Sequence, residues 1–545
     1  MSKDKLNSTI IAPALPSGVK DILPVEAKEL KAIKKRLAKV YESYGYEEVF
    51  TPAFEYLDVL SLQAGERIKK EMFKFLDDRG EMLALRPDMT TSIARLVSQK
   101  KLSAENALLR LFYQANVFRQ QKPLQGQPRE FWQSGIELIG GNQKASDAEI
   151  IMLLVDSLKG LGLTNFKIGL GSVAFLKAFL DSLPEAAALK TNLSQKNLVA
   201  VEEILSASKS KAAKNLKETI KLRGWQALSE AAKLSPSKEA TSALANLKEV
   251  AKLLKKQGYD KYLTFDFSLF PDFDYYTGLV FEAYVENFGV SVASGGRYDN
   301  LLSAFGLSRP AAGFAFSLER LHLATVRDKK APAKNKPKLR VALSKGVLYP
   351  DSVRILKESG FDTYDLENPG RRLLINSADD ITYILARPAD VPTYVESGAV
   401  DLGFAGKDAL MENGTDVFEL LDLKIGACRF VLAETAASLK KAQKAYQQVG
   451  QMRVATKYPQ IAGDYLNKRG LQAELITLRG SVELAPITGL ADMIVDLTTT
   501  GKTLAENGLR VVDEIAACSA RLIANTVSAR LKYEEINGFA KKLKV

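Results

Sequence analysis

The sequence predicts a multidomain protein of mixed α/β and α+β class, and three observations predict it. At 545 residues the chain is too long for one hydrophobic core, so roughly two to four domains are expected. Residues Arg327–Lys338, RDKKAPAKNKPK, read as a linker: charged, Pro- and Ala-containing, with no apolar period. After the linker, short apolar runs alternate with amphipathic stretches, the α/β pattern. Before it, the landmarks are longer helix-like segments.

In chain order, Pro24–Ser43 places Leu30, Ile33, Leu37, Val40 and Tyr41 on one side, which predicts a helix. Ala148–Leu158 is a second apolar-faced helix. Gly160-Leu161-Gly162 and Gly169-Leu170-Gly171 suggest a dinucleotide loop, but Asn165 and Ala174 stand where its last glycine belongs; both are read as turns. Residues 186–260 are rich in Lys, Ala, Leu and Glu at helical spacing and read as a helical insertion. Beyond the linker, Leu339–Leu343 reads as a strand and Ser352–Ser359 as a helix with apolar Val353, Ile355 and Leu356. Strands Ile381–Leu385 and Asp401–Phe404 follow, then helix Ala436–Gln448 and strands Met493–Val495 and Ala520–Ala524. This half is expected to form two lobes with a cleft between them.

Composition narrows the function. Apolar content of 46% and charged content of 26% fit a soluble globular protein. No apolar run approaches the ~20 residues of a membrane helix. The first sixteen residues carry only a short apolar patch, Ile10-Ile11-Ala12, and no signal-peptide core. Cys428 and Cys518 give neither a disulfide framework nor a zinc-ligand spacing. A cytoplasmic location is expected. The net charge of +12 invites a nucleic-acid reading, but the lysine runs at Ser208–Lys221 and Lys252–Lys261 have few aromatics beside them. Polyanionic small substrates suit a basic chain equally well. The single histidine, His322, lies in a helix-like segment and reads as structural; its isolation argues against histidine metal clusters and Ser-His-Asp chemistry.

The chemistry concentrates in Gly480–Leu509. The apolar run Met493-Ile494-Val495 delivers Asp496 into the turn Leu497-Thr498-Thr499-Thr500-Gly501-Lys502-Thr503, and a helix-like segment follows with Leu504, Ala505 and Leu509 as its apolar positions. Strand, polar turn and helix start present backbone N–H groups and hydroxyls to an anion. Gly501-Lys502-Thr503 resembles the end of a Walker A loop, yet the glycine required five residues earlier is Asp496. A carboxylate is wrong for cradling a triphosphate and right for accepting hydrogen bonds from a ribose diol. The pattern suggests a ribose 5-phosphate.

This loop resembles the phosphoribosyl pyrophosphate (PRPP) loop of the ATP phosphoribosyltransferase family, over about residues 338–545. Ala342–Gly346, Arg387–Val395, Asp401–Asp408, Gly426–Arg429 and Ala455–Pro459 match in the same order. The chain runs to Val545, soon after the Ala520–Ala524 strand, so the resemblance is to the short catalytic form, the long form carrying a further regulatory domain there. One departure is Val347, where the family has an arginine after Lys-Gly; that part of the phosphate clamp is then either missing or supplied by Arg371 or Arg372.

Residues 14–325 resemble the core of histidyl-tRNA synthetase. Gly18–Pro24, Thr51–Glu55, Leu85–Thr90, Phe118-Arg119 through Phe131–Glu137, and Gly313–Leu321 carry the likeness, with Asp274–Gly278 and Ser294–Asp299 as its histidine-recognition segments. Where that family has Arg-Gly-Leu before Asp-Tyr-Tyr, this chain has Pro271-Asp272-Phe273, and Gln121 replaces a motif glutamate. Losing the activating arginine leaves transition-state charge uncompensated. Motif 3 passes straight into the linker, with no room for an anticodon-binding domain. The half therefore resembles the regulatory subunit that pairs with the short catalytic form, here fused to it.

The resemblance implies a class II synthetase-like antiparallel sheet domain at 1–326 with the insertion at about 186–260, a linker at 327–338, and a periplasmic-binding-protein-like pair of lobes at 339–545. It implies attack of ATP N1 on C1 of PRPP with loss of pyrophosphate, the first step of histidine biosynthesis, with histidine as feedback effector. N1 has no proton to lose, so alignment and charge stabilisation suffice. Asp496 is assigned to the ribose hydroxyls, and Thr498, Thr499, Thr500, Gly501, Lys502, Thr503 and Leu504 to the 5-phosphate loop. Lys345, Arg372 and Arg387 are candidates for pyrophosphate or ATP phosphates. Glu483 and Asp492 either orient ribose or magnesium-bound water, or are surface or hinge carboxylates. Mg²⁺ is expected to arrive with the phosphates, without a protein metal cluster. Asp88, Gln133, Glu137, Tyr275 and Tyr276 are expected around histidine. Arg119 and Arg320 are relics of ATP binding, ligands of the histidine carboxylate, or structural ion pairs. A homo-oligomer is implied, with a tetramer as candidate size. Two other classes stay open: a tRNA-binding or aminoacylating synthetase relative, disfavoured by Pro271, and a non-catalytic binding protein, disfavoured by the intact loop.

Overall fold

The structure is a computed structural model describing residues 15–100, 108–121, 128–271, 273–286, 288–330 and 337–435, together with 452–545; side chains 328–330 are outside the description. The expected helix Ala436–Gln448, Asp272 and the apolar patch Ile10–Ala12 lie outside the described residues. Among the described residues no helix is long and apolar enough to cross a membrane. Two compact units emerge: Met1–Leu183, Glu218–Glu286 and Ser291–Ala331; and Pro184–Lys217, Asn287–Val290 and Pro332–Val545.

The first unit is built on an eight-stranded sheet. Its strand order is Glu47–Glu48, Leu109–Phe118, Glu130–Ile139, Ala311–Ser317, Ala293–Arg297, Leu279–Val285, Phe166–Ser172, Leu263–Phe265. The inner six strands are antiparallel and the two outermost pairs parallel. Helix Pro24–Ser43 forms as its spacing predicts, opening with Pro24 at its first turn, where proline costs no intrahelical bond. It buries Leu30, Ile33, Leu37 and Tyr41, while Val40 is half-buried. Tyr41 packs on Phe112 at 5.5 Å and Phe314 at 6.3 Å, fastening the helix to the sheet. The second expected helix runs Gln143–Gly160, capped by Asn142, whose side chain accepts from the backbone N–H of Lys144 and Ala145.

Gly169-Leu170-Gly171 is not a turn; it lies inside strand Phe166–Ser172. The glycines are there for space. A Cβ at Gly169 would stand 2.9 Å from the Tyr284 ring, and one at Gly171 would stand 2.8 Å from the Asp266 carbonyl. The predicted helical insertion is helical, with helices from Ala186–Ser194 to Lys238–Lys256, but its first part, up to Lys217, packs in the second unit.

The second unit contains two sheets. One orders its strands Leu374–Asn376, Ile381–Ala386, Leu339–Ser344, Leu402–Gly406, Ala520–Ala524, Phe418–Asp422; the other Ala473–Thr477, Met452–Thr456, Met493–Thr498, Cys428–Thr435, Leu509–Cys518. The chain crosses from the first lobe to the second between Asp422 and Cys428, and returns across the single residue Ser519. The central strands of each lobe are parallel: Leu339–Ser344 with Ile381–Ala386 and Leu402–Gly406, and Met452–Thr456 with Ala473–Thr477 and Met493–Thr498. Parallel strands collect their following loops at one edge, which is where such sheets hold ligands. The helix after the polar turn is shorter than expected, Lys502–Glu506; Leu509 already opens the next strand and Ala505 is exposed.

Candidate functional site

Asp496 sits near the carboxyl end of strand Met493–Thr498 and is 6% exposed. Its Oδ1 accepts from the Leu497 N–H at 2.9 Å. Burial pushes its carboxyl pKa up, and the charge of Glu483 adds to that; the Leu497 N–H and the Lys457 ammonium oppose it. The loop organises itself. Thr498 Oγ1 accepts from Gly501 N–H at 2.9 Å and Thr500 Oγ1 from Lys502 N–H at 3.3 Å, so two amides expected to face an anion are engaged on the loop's own hydroxyls. Gly501 holds φ at +77°, a conformation that favours glycine. Leu504, buried with Val431, Ile494 and Leu509, anchors the loop, whereas Lys502 and Thr503 are exposed.

On the other lobe, Lys345, Arg387 and Lys407 each follow the carboxyl end of one of three adjacent parallel strands, so the fold brings these cations to one edge. Lys345 and Arg387 are exposed, and Val347 is 90% exposed. Arg372 is held elsewhere: it pairs with Asp365 at 2.9 Å and donates to the carbonyls of Asn368 and Pro369. Asp492 precedes the Asp496 strand. It is engaged by Arg453, at 2.8 Å through the backbone and 3.1 Å through the guanidinium, six residues and about 20 Å of strand from Thr498.

Residues not singled out in the sequence complete the cleft. The Tyr458 phenol pKa is raised by burial and by the charges of Asp408 on one lobe and Asp496 on the other, so carboxylates of both lobes act on it. Glu412, on helix Lys407–Asn413, accepts from the N–H of Gln460 at 3.1 Å and of Ile461 at 3.2 Å, capping helix Pro459–Lys468 of the opposite lobe. The signal for Asp408 and Tyr458 was their place in two of the matched stretches; Glu412 had none.

The first unit carries a second, buried cluster of polar side chains. Gln133, Gly135 and Glu137 share one face of strand Glu130–Ile139 by its two-residue period. Asp88 joins them from the turn ahead of helix Thr90–Lys100. Asp88, Gln133, Glu137 and Tyr275 are buried. Glu137 accepts from the hydroxyls of Thr90, at 2.7 Å, and Tyr298. Burial pushes its carboxyl pKa up to about 8, the two hydroxyls opposing. Asp88 is also pushed up by burial, with Arg119 the main opposing charge. A Cβ at Gly313, the residue paired with Glu137 across the strands, would lie 2.1 Å from Glu137 Oε2. Only glycine leaves this carboxyl room. Tyr275 stacks on Phe273 at 4.9 Å and meets Tyr276 at 4.7 Å and Tyr298 at 5.6 Å. Asp88 Oδ1 and Gln133 Oε1 are buried acceptors without a hydrogen-bond partner. Buried unmatched acceptors are costly, which marks a place for a donor-rich cationic ligand. A cavity of about 780 Å³ opens beside Tyr275 and Tyr276, also lined by Lys177, Asp181, Glu239 and Asn300.

Arg119 donates to the Pro87 carbonyl at 3.0 Å, with its guanidinium 5.4 Å from the Phe131 ring. Arg320 donates to the Ser291 carbonyl at 3.3 Å. His322 pairs with Glu29 at 2.6 Å, a structural contact within the first unit.

Comparison with known proteins also divides the chain in two, with residues 184–217 falling in the first match although they pack in the second unit. The histidyl-tRNA synthetase family model matches residues 18–321, and the ATP phosphoribosyltransferase model residues 387–545. The ATP phosphoribosyltransferase regulatory subunit of Moorella thermoacetica is 45% identical over 329 residues, 58% of this chain and 83% of that protein. A Bacillus halodurans structure described as an ATP phosphoribosyltransferase regulatory subunit/histidyl-tRNA synthetase is 31% identical, with TM-score 0.53, covering 72% of this chain and 95% of that one. A histidine–tRNA ligase subunit from Alicyclobacillus acidocaldarius is 28% identical with TM-score 0.50, covering 58% of this chain and 98% of its own.

Proposed function

The chain belongs to the family of ATP phosphoribosyltransferase regulatory subunits and carries an ATP phosphoribosyltransferase segment behind it, and from that premise we propose that it is a self-regulated ATP phosphoribosyltransferase. It joins N1 of ATP to C1 of PRPP, releases pyrophosphate, and responds to histidine, the end product of the pathway it opens. The observation that carries the catalytic half is Asp496, buried at a parallel strand's carboxyl end and followed by a hydroxyl-rich loop.

In this reading Asp496 accepts from the ribose hydroxyls and Thr498–Thr503 hold the 5-phosphate. Lys345 and Arg387 reach phosphates from the opposite lobe, and the lobes close in the manner of periplasmic binding proteins. Arg372 and Asp492, occupied by Asp365 and Arg453, serve the scaffold. Bond making at C1 builds positive charge on the ribose while the C–O bond to pyrophosphate breaks and negative charge passes to the leaving group. Glu483 and Asp496 are two carboxylates whose charges interact, too few for a complete magnesium cage and suited to an ion that arrives with phosphates and keeps its waters. Mg²⁺ would neutralise the departing pyrophosphate.

The effector reading rests on the orphaned acceptors Asp88 Oδ1 and Gln133 Oε1. They fit an ammonium group, with Tyr275 and Tyr276 against an imidazole ring. Histidine then regulates by binding two conformations unequally, in a homo-oligomer of cytoplasmic chains. The test follows ultraviolet absorbance of the full chain with ATP, PRPP and Mg²⁺, with and without histidine. Product that histidine suppresses is expected. No product overturns the catalytic reading, and product indifferent to histidine overturns the effector reading.

A further inference from the structure

Residues 184–217 interrupt the first unit's sequence yet pack in the second unit. The chain leaves the first unit after Leu183 and returns to it at Glu218, so both ends of this segment are covalently joined to that unit. Inside the second unit the segment lies on the edge strand Phe418–Asp422. Leu198 packs against the lobe's core, and Val201 and Leu205 are buried. Its contact point is the corner between helices Ala186–Ser194 and Leu198–Ala207.

That corner is conformationally strained. Lys196 sits at φ +57°, in the left-handed region where a helix end ordinarily carries glycine. The conformation turns the Lys196 carbonyl to accept from the Glu419 N–H at 3.1 Å, and Asn197 bridges to Glu419 as an isolated parallel pair. The Lys196 ammonium pairs with Asp416 at 2.5 Å, while Asn197 caps the second helix through the Ala200 N–H.

Glu419 is 8% exposed and sits at a register shift in its strand. Its carboxylate holds Lys407, at the strand end that faces the cleft, and lies 3.6 Å from Arg521. Arg521 pairs with Asp422 at 2.7 Å, and Asp422 accepts from the Ser519 hydroxyl at 2.8 Å. The Ser519 carbonyl in turn accepts from the Lys407 N–H at 3.2 Å. Ser519 is the one-residue return between the lobes. A continuous set of contacts therefore runs from the Lys196–Asn197 corner, through Glu419, to the lobe hinge and to a cation at the cleft.

We propose that residues 184–217 are a regulatory strap: they convert the state of the synthetase-like unit into the position of Glu419, and through Lys407, Arg521 and Ser519 into opening or closing of the catalytic cleft. The proposal rests on the reading of the chain as a histidine-regulated phosphoribosyltransferase and specifies the route of regulation. Coupling here needs a two-state element that both sites bias. The strained corner is that element, because relaxing Lys196 out of the left-handed region withdraws the carbonyl held by Glu419.

The test uses two full-length variants, Asp416→Asn, which removes the charge that pairs with Lys196, and Lys196→Ala with Asp416→Asn, which removes the ion pair and raises the strain. Product formation and histidine binding by calorimetry are measured for each beside the wild type. In the double variant the product formation that survives saturating histidine is expected to rise about tenfold, within the usual range of coupling factors. Product formation without histidine and the calorimetric affinity should stay within about twofold, with Asp416→Asn intermediate. Inhibition to the wild-type extent at saturating histidine in both variants overturns the strap. So does loss of histidine binding, which would make the corner part of the pocket, or loss of product, which would make it mere support for the lobe. Failure of the underlying reading shows in the wild type alone, as absent product or absent inhibition.

Discussion

Both sites centre on buried carboxyls whose pKa is raised by burial, but they are assembled differently. Asp496 and its loop come from one short stretch: strand, turn and helix start supply the groups within eight residues, Asp496 to Thr503. Asp88, Gln133, Glu137 and Tyr275 come from distant points, brought together by a sheet whose neighbours in space are far apart in sequence. The Asp496 loop lies at a strand end of one lobe, and Lys345 and Arg387 are exposed after strand ends of the other. The Asp88 cluster is buried, and Asp88 Oδ1 and Gln133 Oε1 accept no hydrogen bond from the protein. A site that must release a product can be local and exposed to closure. A site that must sense one molecule benefits from enclosure, because unmatched buried acceptors penalise every occupant that lacks donors.

The comparison breaks most sharply at Asp496. Asp496→Asn keeps shape and removes the acceptor charge. Product formation is expected to fall by about 100-fold or more, the scale of losing a preorganised electrostatic contact. Thermal stability should hold or rise, since burial already disfavours the ionised form. Histidine affinity, measured by calorimetry, should not move. The mirror variant is Asp88→Asn, which removes one orphaned acceptor of the pocket. Histidine should bind and inhibit about 10- to 100-fold more weakly, the cost of a lost hydrogen bond to a charged group, with uninhibited product formation unchanged. If Asp88→Asn lowered product formation as much as inhibition, the two sites would not be separable in this way.

Glu137 sharpens the contrast through pH. Its folded pKa, about 8, lies above the ordinary carboxyl value of 4.5. Between those values the folded chain holds a proton the unfolded chain has lost, so stability falls as pH rises through that window. The full contribution is present only below the unfolded value. Glu137→Gln cannot ionise. From pH 6.5 to 7.5 the wild type should lose at most about 1.4 kcal/mol relative to Glu137→Gln, read from denaturant midpoints at the two pH values. Parallel curves for the two proteins would mean that Glu137 is ionised in its pocket.

How much was legible follows from the same contrast. Helix Pro24–Ser43 could be read to the residue because its apolar side repeats at the helical period and a proline opens it. The strands of the lobes could be read because they are short, apolar and bounded by turns. The Asp496 loop could be read because strand, turn and acid are contiguous. Gly169 and Gly171 misled because their reason for being glycine, the Tyr284 ring and the Asp266 carbonyl, lies far along the chain. Arg372 and Asp492 are the right residue types in the right neighbourhood. What occupies them, Asp365 and Arg453, is settled by packing rather than by type. The pocket residues were reached through resemblance, and no local pattern would have joined Asp88 to Glu137. The strap was out of reach for the same reason: helical spacing announces helices at 186–217 but not the strand on which they rest.

The smallest expected effect tests whether the Asp496 site depends on a contact between its lobes. Glu412 on one lobe caps helix Pro459–Lys468 on the other, a carboxylate placed against the positive end of a helix that begins directly after Tyr458. The Asp88 cluster has no counterpart to such a contact, since its members come from one sheet and the elements packed on it. Glu412→Gln keeps an acceptor and loses the charge. Charge at a helix end is worth about 0.3–1 kcal/mol, which converts to a change of roughly two- to fivefold. If the cap favours the closed lobes, KM for PRPP and ATP should rise by that factor, with histidine affinity unchanged. A rise in the rate at saturating substrate would point the other way: the cap would be holding the lobes together after reaction, so that opening limits turnover and weakening the latch speeds release.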